Sequence, residues 1–132
     1  MGIDYGEKRI GIALCDPLLT FAYPFSTIKN DSALLTSLSK IVLEKNISKI
    51  LIGLPSKKFR SSKALAEKVF KLKTDIETKI KIEVILWDEE YSSIIAKERM
   101  IESVAKKSSR KKKELIDQHS AAVILQEYLD SK

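Results

Sequence analysis

The chain has 132 residues, of which 44% are hydrophobic and 32% charged, and its formal net charge is +6. We therefore expect one globular domain over residues 1–132, and the composition excludes intrinsic disorder, while the basic balance favours a polyanionic partner. No apolar run approaches the roughly 20 residues that span a bilayer, and the acidic and glycine residues of the opening do not fit a signal peptide, so we expect a cytoplasmic protein with no membrane partner.

The first half of the chain begins with three predicted strands, over residues 1–6, 8–14 and 22–28. Gly6 suits a tight turn between the first two, and the three strands together predict an antiparallel meander. Apolar residues then recur at helical spacing over residues 32–45. The segment 49–54 is almost continuously apolar, which indicates a strand buried on both faces of a sheet.

The second half continues the alternation of helices and strands. We predict a helix over residues 62–79, a strand over 81–87, a helix over 92–105 and a final helix from about 114 to 129. The order βββαβαβαα predicts an α/β fold with a five-stranded mixed sheet flanked by helices, in which the first strand is central. This is the element order of RNase H-like domains, although a fold alone does not fix a function.

Asp4 is the first candidate functional residue, because it lies within a core strand. Ile3 and Tyr5 should face one side of the sheet, which leaves Asp4 on the other side with Gly2 and Gly6. A carboxylate there is costly unless it is paired or binds a metal. The two glycines leave room for a phosphate or an ion to approach. The alternative is a structural aspartate that caps a turn or forms a salt bridge.

Two further carboxylates stand where they can join Asp4. Glu89 follows the strand that ends near Trp87, at a carboxyl end of the sheet, and Asp117 lies near the start of the last helix. Each has a structural alternative, a solvated strand exit for Glu89 and a favourable contact with the helix N-terminus for Asp117. Together the three acids predict a site for Mg²⁺ or Mn²⁺, and such ions activate water and stabilise the leaving oxygen of a phosphodiester.

Basic residues are clustered ahead of the last helix. Like charges repel each other, so we predict a weakly ordered loop there whose residues bind phosphates, with a solvated segment as the alternative. A smaller basic cluster consists of Lys57, Lys58 and Arg60. The larger cluster consists of Lys106, Lys107, Arg110, Lys111, Lys112 and Lys113.

Four motifs resemble those of the YqgF family, whose members are described as pre-16S ribosomal RNA nucleases and formerly as Holliday junction resolvases. They are GIDYGEKRIGIALCD at 2–16, IGLP at 52–55, DEEYSS at 88–93 and SSRKKKELIDQHSAAVILQEYL at 108–129. The resemblance covers nearly the whole chain in the right order. It implies the RNase H-like fold and a metal-dependent nuclease that uses Mg²⁺ or Mn²⁺ and processes the 5′ end of pre-16S ribosomal RNA.

The same resemblance assigns residues to roles. The catalytic and metal-binding acids are Asp4, Glu89 and Asp117, and the phosphate-binding residues are Lys8, Arg9, Arg110, Lys111, Lys112 and Lys113. The chain departs from the family at Glu90, where an arginine is common, and in the loop SKKFRSS at 56–62, where the family usually has a polar, glycine-containing loop. Both departures bear on how the substrate is held.

Other functions stay open on the sequence alone. Basic residues bind phosphates without reading sequence, so structured RNA and branched DNA are both candidate substrates. A monomer or a weak homodimer is expected, whereas a junction resolvase should be a two-fold dimer. A non-catalytic nucleic-acid-binding module is an alternative. The motif Asp4-Tyr5-Gly6 also resembles the phosphate loop of actin-like ATPases, which bind nucleotide between two such domains.

Overall fold

The computed structural model describes residues 1–54, 63–88 and 109–131. Within these ranges the chain forms five strands and three α-helices, and α2 continues directly into a short π-helical segment, Ile76–Ile80. The elements, in chain order, are β1 (Gly2–Asp4), β2 (Arg9–Cys15), β3 (Ala22–Lys29), α1 (Leu34–Glu44), β4 (Lys49–Leu54), α2 (Lys63–Asp75), β5 (Glu83–Asp88) and α3 (Ser109–Asp130).

The strands form one mixed sheet in the order β3-β2-β1-β4-β5. The meander β1-β2-β3 is antiparallel, whereas β4 pairs in parallel with both β1 and β5. The predicted α/β architecture and the central position of β1 are therefore confirmed. The turn between β1 and β2 depends on Gly6, because a Cβ there would collide with the carbonyl oxygen of Arg9.

One face of the sheet carries the larger hydrophobic core. Ile3, Ile12 and Ile52 are fully buried there, and α1 and α2 cover them through Leu38 and Val69. Burying a side chain of this size contributes about 1.5–3 kcal/mol, so this face supplies most of the apolar stabilisation. The other buried members of the cluster are Met1, Ile10, Leu14, Leu34, Ile50, Leu72, Ile76 and Val84.

The opposite face is covered by α3, and its core is smaller. The helix can approach closely because Gly2 of β1 has no side chain. A Cβ at Gly2 would lie 2.9 Å from Cβ of Leu125 and 3.1 Å from the carbonyl oxygen of Ala121. Farther along the helix, the ring of Tyr128 packs edge-on against Trp87, with ring centroids 5.5 Å apart.

The boundaries of the final helix differ from the sequence prediction. α3 begins at Ser109 rather than near residue 114, so its first turns include residues 110–113. The predicted loop is therefore wrong for residues 109–113. Lysine and arginine are good helix formers, and the apolar stripe that follows holds the helix on the sheet, so the helix extends back through the basic run.

Several predictions concern segments outside the described residues. They include the helix predicted over 92–105, the acids Glu89 and Glu90, the loop at 56–62 with its basic residues, and Lys106 and Lys107. Where the structure describes helices, none is long and apolar enough to cross a membrane.

Candidate active site

Asp4 is the last residue of β1 and is half-buried. Its neighbours Ile3 and Tyr5 both pack in the larger core, so alternation along the strand turns Asp4 towards the face that α3 covers. This agrees with the orientation that the sequence predicts for this carboxylate. Asp4 pairs across the antiparallel ladder with Gly11 of β2, whose side-chain position faces the same way.

Gly11 is the point at which α3 touches the sheet most closely. A Cβ on Gly11 would overlap the backbone carbonyl of Asp117. Since Gly11 is also the cross-strand partner of Asp4, the backbones of Asp4 and Asp117 are both neighbours of this glycine. The two acids therefore lie on the same face and at the same end of the sheet.

The space beside the other two glycines is already filled. The position of a Cβ on Gly2 is taken by Leu125 and Ala121, and that on Gly6 by the carbonyl of Arg9. The expectation that these two glycines leave room for a phosphate or an ion is therefore wrong. Close packing leaves no gap for a ligand at these positions. Gly2 instead allows α3 to pack against β1, and Gly6 allows the turn between β1 and β2.

Asp117 forms an ion pair with Arg9, the first residue of β2. Nε of Arg9 donates a hydrogen bond to Oδ2 of Asp117 over 2.8 Å, between residues 108 positions apart in the chain. The two side chains are 35% and 22% exposed, so the pair is only partly screened by solvent. Arg9, predicted from the resemblance to bind phosphate, thus has a carboxylate partner within the protein.

The third predicted acid, Glu89, lies outside the described residues and follows the last residue of β5. β5 and β4 run parallel, with Leu54 opposite Asp88, and β4 runs parallel to β1. The carboxyl ends of all three strands therefore meet at the edge where Asp4 lies. Over the described ranges, no group of three histidine, cysteine, aspartate or glutamate side chains is close enough to hold a metal ion.

The two described acids fit a hard divalent cation in their chemistry. Carboxylate oxygens are the ligands that Mg²⁺ and Mn²⁺ prefer. The guanidinium of Arg9, which lies against Asp117, shows that a cationic group is accommodated at this carboxylate. Asp4 and Asp117 are thus two candidate ligands on one face, and Glu89 is the candidate for a third.

Basic residues surround this end of the sheet. Lys8 is exposed just before β2, and Lys29 of β3 is exposed and stands directly opposite Arg9 in the β2–β3 ladder. Residues 110–113 lie four to seven positions before Asp117 on α3, which is about 6–10 Å along the helix axis. Sequence reasoning missed Lys29. The register of the β2–β3 hairpin was the signal that would have revealed it.

Comparison with known proteins identifies the family. The sequence model of the RuvX family, described as Holliday junction resolvase, matches residues 1–131. The chain belongs to this family. The match confirms the resemblance drawn from the opening and closing motifs, and it makes the chain a member of a nuclease family.

Relatives of known name match over almost their full length. A protein of Acetivibrio thermocellus is 40% identical over 136 residues, covering 100% of this chain and 95% of the relative. A protein of Endomicrobium trichonymphae is 42% identical over 132 residues, covering 98% and 94%. One from Desulforamulus reducens is 36% identical over 133 residues, covering 99% and 96%. All three carry the name "Putative pre-16S rRNA nuclease".

Two solved structures share the fold. Thermus thermophilus RuvC in complex with a Holliday junction substrate has a TM-score of 0.62 at 14% identity, covering 98% of this chain and 92% of that one. The Fowlpox virus resolvase in complex with Holliday junction DNA has a TM-score of 0.58 at 14% identity, covering 98% and 95%. These similarities confirm the RNase H-like fold.

Proposed function

We propose that this RuvX family member is a metal-dependent nuclease that hydrolyses phosphodiester bonds of the ribosomal RNA precursor, at the 5′ end of pre-16S rRNA. The observation that supports the site is the common face and common edge of Asp4 and Asp117, both next to Gly11. The name shared by the relatives supports the substrate. Such a substrate implies a cytoplasmic protein, and a monomer or weak homodimer suffices for a single cut.

Asp4, Asp117 and Glu89 are the proposed ligands of Mg²⁺ or Mn²⁺. Ions held by these residues would supply Lewis-acid stabilisation of the phosphodiester and would activate water. The protein contributes the fixed placement of the ligands, because Asp4 is held on a core strand and Asp117 on a helix seated directly against β2. Ligands on rigid elements keep their geometry better than ligands on loops.

The basic residues at this end of the sheet are the proposed phosphate contacts. They are Lys8, Arg9, Lys29 and residues 110–113 of α3. A net charge of +6 adds a general attraction for nucleic acid. Contacts of this kind hold the backbone in register without reading bases, so they suit a substrate that is recognised by its shape.

A second candidate function is resolution of Holliday junctions. The description of the family and the two structural neighbours, both bound to junction DNA, favour it. A resolvase makes paired cuts across a two-fold axis, so this function requires a dimer with both sites on one junction. The two functions therefore differ in substrate and in the assembly that acts.

The test is cleavage of a pre-16S rRNA fragment and of a four-way DNA junction, side by side, with and without Mn²⁺. We expect cleavage of the RNA only with Mn²⁺, and none by Asp4→Asn. Glu67→Gln is the matched control, since it removes one negative charge from an exposed position on α2. Preferential cleavage of the junction would favour the second function. RNA binding with no cleavage of either substrate would overturn both and favour a non-catalytic binding module.

A further inference from the structure

The ion pair between Arg9 and Asp117 has a consequence for how the site binds its ligands. Asp117 is a proposed metal ligand and Arg9 a proposed phosphate contact, yet in the structure Nε of Arg9 donates to Oδ2 of Asp117 over 2.8 Å. The carboxylate of Asp117 thus has an observed cationic partner, the guanidinium, and a proposed one, the divalent ion. One guanidinium likewise faces two anionic partners, the carboxylate and a phosphate of the substrate.

The register of the sheet places Arg9 next to the proposed ligands. Asp4 stands opposite Gly11, and Arg9 is two residues before Gly11 on β2, so alternation turns Arg9 to the same face as Asp4. Diagonal neighbours across an antiparallel pair are about 7–8 Å apart. The positive charge of Arg9 therefore lies close to both acids and offsets the repulsion between them.

Exposure of the pair permits an exchange of partners. At 35% and 22% exposed, the two side chains are reachable by solutes, and an arginine at the start of a strand can turn outwards without disturbing the core. Guanidinium binds carboxylate and phosphate with the same planar set of donors. Neither partner of Arg9 is therefore favoured by geometry alone, and local charge decides between them.

We propose, resting on the metal-dependent function above, that Arg9 is an internal counter-cation of Asp117 that exchanges the carboxylate for a substrate phosphate when a divalent ion binds. In the free protein Arg9 competes with the ion for Asp117. With an ion at Asp117, the guanidinium of Arg9 would be repelled from the carboxylate and would turn to the phosphate instead. Because coupling between two ligands is reciprocal, nucleic acid must raise the affinity for the metal by the same factor as the metal raises the affinity for nucleic acid.

The first experiment measures Mn²⁺ affinity by calorimetry in the absence of nucleic acid. Arg9→Gln should bind Mn²⁺ about tenfold more tightly than the wild type, because the competing cation is gone. Arg9→Lys keeps the positive charge and should stay near the wild type. Lys40→Gln is the control, since it removes an equal charge from an exposed position on α1, which covers the other face of the sheet, and its affinity should stay within about twofold of the wild type because of screening.

The second experiment repeats the titration with a short single-stranded oligodeoxynucleotide. The oligonucleotide should tighten Mn²⁺ binding by the wild type, whereas Arg9→Gln should lose this coupling. Melting temperatures are measured alongside. Arg9→Gln should lower the melting temperature without metal, and saturating Mn²⁺ should restore it to that of the metal-bound wild type.

Two results would overturn the inference. Unchanged Mn²⁺ affinity in Arg9→Gln, with a melting temperature lowered equally at all metal concentrations, would make the pair a purely structural contact. If the oligonucleotide still tightens Mn²⁺ binding in Arg9→Gln, a residue other than Arg9 couples the two ligands. Asp4→Asn and Asp117→Asn separate this failure from that of the proposed function. If both bind Mn²⁺ like the wild type, the metal site itself is wrong.

Discussion

The two faces of the central sheet are built from alternate residues of the same strands, yet they differ in kind. The face under α1 and α2 is lined by large aliphatic side chains that are fully buried, such as Ile3, Ile12 and Ile52. Under α3, by contrast, the central strands β1 and β2 carry only small residues, at Gly2, Gly11 and Ala13, together with Asp4 and Arg9, and the larger side chains come from β4 and β5. The first face is therefore an aliphatic core throughout, whereas the second combines a smaller core with polar residues at one end of the sheet.

This difference separates stability from chemistry. Large apolar side chains contribute burial energy, whereas small residues contribute little but let a helix backbone approach a strand. Gly11 illustrates the second use, because it seats the backbone of Asp117 against β2. Substitutions on the aliphatic face should therefore change folding, and those on the α3 face should change the site.

The largest expected effect is on catalysis, in Asp117→Asn. Losing a proposed metal ligand should lower the cleavage rate at least about 100-fold, since even the supporting partners of metal ligands are worth 10–100-fold. Stability should fall by about 1 kcal/mol or less, because the ion pair with Arg9 is partly exposed. The cleavage rate is measured on pre-16S rRNA, and the free energy of unfolding is measured by urea denaturation. A stability loss as large as that of a core substitution would contradict the separation of the faces.

Ile52→Ala should lose stability and keep its cleavage rate, the opposite of Asp117→Asn. Ile52 is fully buried in the larger core, so removing its side chain should lower the free energy of unfolding by about 2–5 kcal/mol. The rate per folded molecule should stay close to that of the wild type at a temperature where the variant is folded. Urea denaturation measures the first quantity and active-site titration with single-turnover cleavage the second. A rate loss comparable to that of Asp117→Asn would show that the two faces are coupled.

Gly11→Ala tests how the helix is seated. The added Cβ would overlap the carbonyl of Asp117, so α3 must shift, and overpacking of this kind costs about 1–3 kcal/mol. Gly2→Ala is the matched control, since its Cβ would press on Leu125, farther along the same helix. Both variants should be destabilised, but Gly11→Ala should lose more cleavage activity per folded molecule. Equal activity losses in the two variants would mean that the contact between Gly11 and Asp117 does not determine cleavage activity.

The smallest expected effect concerns Asp16, a carboxylate at the opposite end of the sheet from Asp4. Its Oδ1 accepts hydrogen bonds from the backbone N–H of Phe21 and of Thr20, at 2.6 and 2.7 Å, and these bonds hold its pKa below the ordinary value of 3.8. A lowered pKa in the folded state means that the ionised group stabilises the fold above its unfolded pKa and that this stability is lost as the pH falls through the folded pKa.

Asp16→Ala should therefore be slightly less stable than the wild type at pH 6, and the difference should shrink as the pH falls below 3.8. Urea midpoints at several pH values measure it. Cleavage activity at neutral pH should be unchanged, which distinguishes a carboxylate held by backbone donors from the acids of the candidate site. A difference in stability that grows towards low pH would contradict the assignment.

The sequence by itself determined the order of the described elements and the central place of β1, and it predicted the face to which Asp4 turns. These follow from local periodicity, since a strand repeats every two residues and a helix every 3.6, and from the rule that parallel strands need a crossover. The motifs of the family pointed to the three acids as well. No local sequence pattern, however, indicates how closely a helix packs against a sheet.

Only the tertiary structure decided that Gly11 rather than Gly2 or Gly6 lies at the site, and that Arg9 pairs with Asp117 across 108 residues. It also decided that α3 begins at Ser109 and that Lys29 stands opposite Arg9. Each of these depends on the distance between two elements that are remote in the chain. That distance depends on the side-chain volumes of both surfaces in contact. One segment of sequence contains the side chains of only one of these surfaces.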